Sequence, residues 1–101
     1  MSEQEAQYHM AAAKVEESVS SKLFGKPCYK INGKAFCCFF EEAMVFKLTG
    51  NDHKKAIELT KAELFDPSKK GRPMKEWVQV PFEHKKLWNK FAIAAANYVK
   101  T

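Results

Sequence analysis

Apolar and polar positions divide the chain into seven segments. From about Glu5 to Lys22, Tyr8, Ala11, Ala12, Val15, Val19 and Leu23 recur at three- and four-residue spacings, which predicts an N-terminal helix. Residues 1 to about 4 are expected to fray. Phe24 to Leu48 then reads as three aromatic-rich extended runs joined by two tight turns, a β-meander. Asn32-Gly33 tolerates positive φ at both positions and predicts a two-residue hairpin. Counting outward pairs Ile31 with Lys34, Lys30 with Ala35, Tyr29 with Phe36 and Cys28 with Cys37. A second two-residue turn at Glu41-Glu42 pairs Phe40 with Ala43, Phe39 with Met44 and Cys37 with Phe46.

Side chains alternate across a strand, so this register predicts two faces. Cys28, Lys30, Ala35, Cys37, Phe39, Met44, Phe46 and Leu48 form one, expected to meet the helices. Tyr29, Ile31, Lys34, Phe36, Cys38, Phe40, Val45 and Lys47 form the other. On that second face Tyr29, Ile31, Phe36, Cys38, Phe40 and Val45 make a contiguous apolar patch, a candidate interface for a homodimer or a protein partner. If so, Phe36→Lys leaves a folded monomer.

A second helix is expected from about Asp52 to Ala62, with Ala56, Ile57 and Leu59 on its apolar side. Leu64-Phe65 is a short extended piece, and residues 66–73 form a loop punctuated by prolines. Met74 to Val80 reads as a strand that Pro81 stops. The last helix, about Phe82 to Val99, carries a broad stripe of Leu87, Trp88, Phe91, Ala94, Ala95, Tyr98 and Val99. The order α-β-β-β-α-β-α gives an α+β class: two layers, a largely antiparallel sheet, helices mainly on one face.

Length adds that 101 residues make a single domain, residues 1-101. No apolar run approaches the roughly 20 residues that span a bilayer. The N-terminus is polar and acidic, unlike an export signal, and a cytoplasmic location is expected. Net charge is +5, from 17 basic and 12 acidic residues. The charge concentrates in Lys69, Lys70 and Arg72 with nearby Lys75, a candidate anion contact. Together with Lys34 and Lys47, these residues define the alternative of a weak nucleic-acid-binding module using the basic loop 69-75 and the aromatic sheet face.

Chemistry narrows the reading further. Three cysteines in no ligand spacing, and three histidines on separate elements, define no metal centre. Cys28 and Cys37, opposed in the expected register, read as free thiols packed in the core. His53 and His84 begin helices among lysines and are expected to face solvent, so no histidine base stands by a thiol. The four glycines are scattered and form no phosphate loop. Lys34-Ala35-Phe36-Cys37-Cys38-Phe39-Phe40 resembles the base-stacking strand of RNA-recognition domains, but lacks its glycine and has Cys38 where an aromatic belongs. No cofactor and no catalytic residue is assigned.

Three stretches carry a family resemblance: Leu23-Phe24-Gly25-Lys26-Pro27-Cys28, Ile31-Asn32-Gly33-Lys34-Ala35-Phe36, and Gly71 to Pro81, read GRPMKEWVQVP. In combination they resemble the TfoX N-terminal domain family, its short single-domain members most of all, over about Leu23 to Val99. The Phe-Gly-Lys-Pro phrase also resembles MmcQ/YjbR-like proteins, the second choice. The first resemblance implies an antiparallel sheet backed by helices and a small non-enzymatic domain, regulatory or protein-binding. The family's competence regulators carry a second domain after this one, and the resemblance covers the first alone.

Overall fold

The computed structural model describes residues 2–23, 25–68 and 70–100. Nine principal elements follow in order: α1 (Glu3–Ala13), β1 (Val19–Leu23), β2 (Lys26–Ile31), β3 (Lys34–Phe40), β4 (Ala43–Lys47), α2 (Gly50–Ile57), β5 (Glu63–Phe65), β6 (Met74–Val80) and α3 (Lys85–Lys100). One 3-10 turn, Phe82–His84, leads into α3. The strands form one antiparallel sheet in the order β1-β2-β3-β4-β6-β5, and all three helices contribute to the core on one of its faces. The α+β reading holds, with a six-stranded sheet in place of the simpler order expected.

The first helix is shorter than its apolar spacing suggests. Ser2 caps it, its hydroxyl accepting from the Glu5 N–H at 3.0 Å. It ends at Ala13, and Glu17 turns the chain at φ 69°. The Ser18 hydroxyl donates at 3.1 Å to the Ala12 carbonyl, which also accepts from the Val15 N–H at 3.1 Å. Val19-Ser20-Ser21-Lys22-Leu23, whose first three residues rank below Lys and Leu in helix propensity, then runs extended as an edge strand. Val19 and Leu23, read as helical, therefore belong to the sheet. The second helix also stops early, at Ile57 rather than Ala62.

Both meander turns close on two residues. Asn32 and Gly33 sit at φ 51° and 77°, and Glu41 and Glu42 at φ 48° and 64°. The second turn adopts the same left-handed geometry without the residues that favour it, and it fixes Phe40 to Ala43, Phe39 to Met44 and Cys37 to Phe46 as expected. The first hairpin departs from expectation three residues from its turn. Ile31 faces Lys34 and Lys30 faces Ala35, but the register then shifts, so Tyr29 faces Cys37 and Cys28 faces Cys38. β3 carries one extra residue there, a β-bulge around Phe36 and Cys37.

The bulge reassigns the faces. Tyr29, Ile31 and Phe36, expected on the second face, lie in the helix-side core with Cys37, Phe39, Met44, Phe46 and Leu48. Cys28, expected toward the helices, lies on the second face with Cys38, Phe40 and Val45. The helix-side core is completed by Tyr8, Ala11, Ala12 and Val15 from α1, Ala56 from α2, and Trp88, Phe91, Ala92, Ala95, Ala96 and Val99 from α3. The seam between α1 and α3 is polar at its rim: the Asn89 side-chain amide donates to the Ala11 carbonyl at 2.9 Å.

The second face is dry as well. Cys28, Cys38, Phe40, Val45, Phe65 and Trp77 are all less than a tenth exposed, flanked by half-buried Leu23, Ala35 and Met74. Phe40 and Phe65 have ring centroids 5.2 Å apart although β4 and β6 lie between their strands. Three strand spacings of about 4.8 Å separate them on a flat sheet, so the sheet curls and the rings lean together. Lys26 lays its ammonium over Phe40, 5.0 Å from the ring centre.

Candidate functional site

The apolar patch expected from the sequence does not exist as one surface. Tyr29, Ile31 and Phe36 are buried under α1 and α3, and Cys38, Phe40 and Val45 are buried on the opposite side. Tyr29 shows why its side was misjudged. Its hydroxyl bonds His9 Nδ1 at 2.8 Å, and its ring stands edge-on to Tyr8 at 5.5 Å, so it serves α1 docking. Glu5 lies one helical turn earlier, 3.6 Å from His9 Nε2.

The buried aromatic face also removes base stacking, because Phe40, Phe65 and Trp77 present no open ring plane.

What the topology does assemble is a basic end of the sheet. In an antiparallel order, the starts of β3 and β6 lie beside the ends of β4 and β5. Lys34, Lys47 and Lys75 therefore stand at one end, from which the loop carrying Lys70 and Arg72 leaves. Lys69 lies outside the described residues. Lys70, Arg72 and Lys75 are exposed. The loop is shaped by Asp66, whose carboxylate accepts from the Gly71 N–H at 3.0 Å and from the Ser68 hydroxyl at 3.2 Å. His53 donates Nε2–H to the Lys75 carbonyl at 2.8 Å, and His84 donates to the Thr60 carbonyl at 2.9 Å. Both histidines, expected in solvent, are half-buried tethers between elements.

At this end a concavity of about 250 Å³ opens between the sheet and the last turn of α3, lined by Lys34, Lys47, Tyr98 and Val99. The Lys47 ammonium sits 6.0 Å from the Tyr98 ring centre. The Tyr98 hydroxyl donates to Glu76 Oε2, and that bond to a carboxylate raises its pKa first, with burial and the carboxylate's charge adding to it. The phenol thus stays a neutral donor at physiological pH. Two ammonium groups around one opening can hold an anionic oxygen group by charge-assisted hydrogen bonds, while the phenol's one proton stays on its bond to Glu76. Glu76 at its edge limits how much negative charge the opening accepts.

The only strongly shifted groups among the described residues belong to the core. Burial pushes the Cys37 thiol well up, with Cys38 and Cys28 adding to it, and the Cys38 thiol up to about 12, with Cys28 adding to it. Burial, then the nearby thiols, push the Tyr8 phenol up. Such groups are neutral at physiological pH and poor nucleophiles or bases. No cluster of three or more histidine, cysteine or acidic side chains fit to hold a metal ion occurs among the described residues. No helix among them is long and apolar enough to cross a membrane.

The sequence offers Lys34 and Lys47 only as part of the alternative nucleic-acid-binding module, with Lys69, Lys70, Arg72 and Lys75 as the anion contact, and places Tyr98 only in the apolar stripe of α3. Nothing local joins Lys34, Lys47 and Tyr98; strand polarity and the docking of α3 bring them together. In comparisons with protein-family models, with curated proteins and with solved structures, the chain has no significant match.

Proposed function

We propose that the chain is a small, non-enzymatic interaction domain of the TfoX N-terminal type, and that its partner is a protein segment carrying an acidic group. The observation that supports this is the opening of Lys34, Lys47, Tyr98 and Val99 beside the exposed Lys70, Arg72 and Lys75. Its volume suits a side chain or a chain terminus rather than a nucleotide. Glu76, beside Tyr98, disfavours a run of phosphates while tolerating a single carboxylate flanked by neutral or basic residues. Contacts of this kind act mainly through steering and give modest affinity.

An isotope-labelled sample titrated with a short Glu- and Asp-containing peptide tests the proposal. Amide shifts should centre on Lys34, Lys47, Tyr98 and Val99, and Lys47→Glu should abolish them with the fold intact. Single- and double-stranded DNA, titrated at low and physiological salt, forms the second arm. The exposed lysines favour a weak, electrostatic association that falls steeply with salt. DNA binding that survives physiological salt, or peptide shifts that avoid the opening, overturns the proposal.

A further inference from the structure

We propose that Cys28 and Cys38 form a reversible cross-strand disulfide, making the second face of the sheet a redox site. The register sets them directly opposite each other. In a two-residue hairpin Ile31 and Lys34 form a hydrogen-bonded pair, so alternation along β2 makes Lys30 non-bonded, Tyr29 bonded and Cys28 non-bonded toward β3. Opposed residues of the non-bonded kind have Cα atoms about 4.5 Å apart. That lies within the range of about 4.4–6.8 Å over which disulfides form. A small closing movement brings the Cβ atoms from their strand-pair separation to that of a disulfide.

The pairing is selective. All three cysteines are free. Cys37 points into the helix-side core, whereas Cys28 and Cys38 share the second-face cluster at 0% and 1% exposure. Without the bulge, Cys28 would face Cys37 instead.

Access comes through the sheet edge. β1 covers Cys28 through Ser21, and it is thinly anchored: Val19 is 63% exposed, and Ser20 and Lys22 also face water. Edge elements with few buried contacts open locally at far lower cost than the whole domain. Pro27, with no N–H, removes a ladder donor next to Cys28, and pairing between β2 and β3 stops at that cysteine. Burial raises the Cys28 pKa, but Lys30 and a hydrogen bond with the Ser21 side chain oppose the rise, whereas no such lowering influence acts on Cys38. Cys28 is thus the attacking thiol and Cys38 the resolving one.

With a low-molecular-weight disulfide as oxidant, the Cys28 thiolate attacks one of its sulfurs and expels the other as a thiolate. Once the edge is open and burial relieved, the Cys38 thiol loses its proton to that thiolate and attacks Cys28 Sγ, expelling the second small thiol as its thiolate. The two protein thiols are oxidised and the small disulfide is reduced to two thiols.

Native protein equilibrated in glutathione buffers of graded redox poise, acid-quenched, alkylated and mapped by mass spectrometry tests this. A Cys28–Cys38 linked peptide should appear, with Cys37 alkylated only after unfolding. Cys37→Ala should keep the link, and Cys28→Ala or Cys38→Ala should abolish it. Opening of the edge predicts that a denaturant concentration well below the unfolding midpoint speeds the reaction. A link through Cys37, a stable glutathione adduct on Cys28 that never closes, or oxidation of the unfolded chain only, each overturns the proposal.

Discussion

Phe36→Lys separates the sequence pattern from the fold. On a solvent-facing patch the substitution is harmless; in the observed fold it places an ammonium at a position with 0% exposure in the helix-side core. Losing a buried phenylalanine costs about 3–5 kcal/mol. The lysine stem refills part of the space, but its head must be desolvated or neutralised. Neutralising a buried lysine whose pKa falls by 3–5 units costs about 4–5 kcal/mol at neutral pH. Snorkelling toward the basic end of the sheet recovers part of that. The net loss is about 5–9 kcal/mol, against about 5–15 kcal/mol for a whole domain. The variant should therefore be largely unfolded or insoluble, whereas Phe36→Leu, which keeps the position apolar, should lose only about 1–2 kcal/mol. Urea unfolding followed by tryptophan fluorescence reads this directly, because Trp88 sits in the helix-side core and Trp77 in the second. A Trp77→Phe background isolates the signal from Trp88. A Phe36→Lys protein within about 1 kcal/mol of the parent would refute the burial assigned here to Phe36.

Two further outcomes follow from the turns and the thiols. Replacing Glu41-Glu42 by Asn-Gly supplies residues suited to φ 48° and 64°, and should raise unfolding stability by about 1 kcal/mol in urea titration; an unchanged midpoint would mean the glutamates offset their strain. The Cys38 pKa is raised in the fold, so its contribution is complete below the ordinary thiol range and is lost as pH climbs toward about 12. Under reducing conditions the stability gap between parent and Cys38→Ala should narrow by about 2 kcal/mol between pH ~8 and pH ~10.5, and a constant gap would contradict it.

The strands and turns of the meander were legible because Asn32-Gly33 and the flanking aromatics each point to one structure. The bulge was not. Phe36, Cys37, Cys38 and Phe39 are all apolar, so no polar residue marks where alternation breaks, and Tyr29 suits either face. The overrun of α1 has a similar origin: Val15, Val19 and Leu23 are four apart, a spacing that fits both a helix and one face of a strand. Ser18, Ser20 and Ser21, poor helix formers together, were the available signal. The strand Met74–Val80 was read with its observed limits because Pro73 and Pro81 bound it. Of the candidate site, the lysines could be named but not located, since their proximity depends on pairing between β4 and β6 and on the seat of α3.

The polar seam between α1 and α3 concentrates the chain's long-range order. Among the described residues, strands β1 to β4 pair with one another in sequence order, and the one non-consecutive step, β4 to β6, spans α2 and β5. The hydrogen bond from Asn89 to Ala11 instead joins residues 78 apart. Loop-closure cost grows with span, so the meeting of these two helices carries a larger single closure cost than any one hairpin of the sheet. A sheet not yet covered by the helices would leave Ile31, Phe36 and Phe46 wet. The interval before helix docking is thus when this chain is most open to association with its own copies.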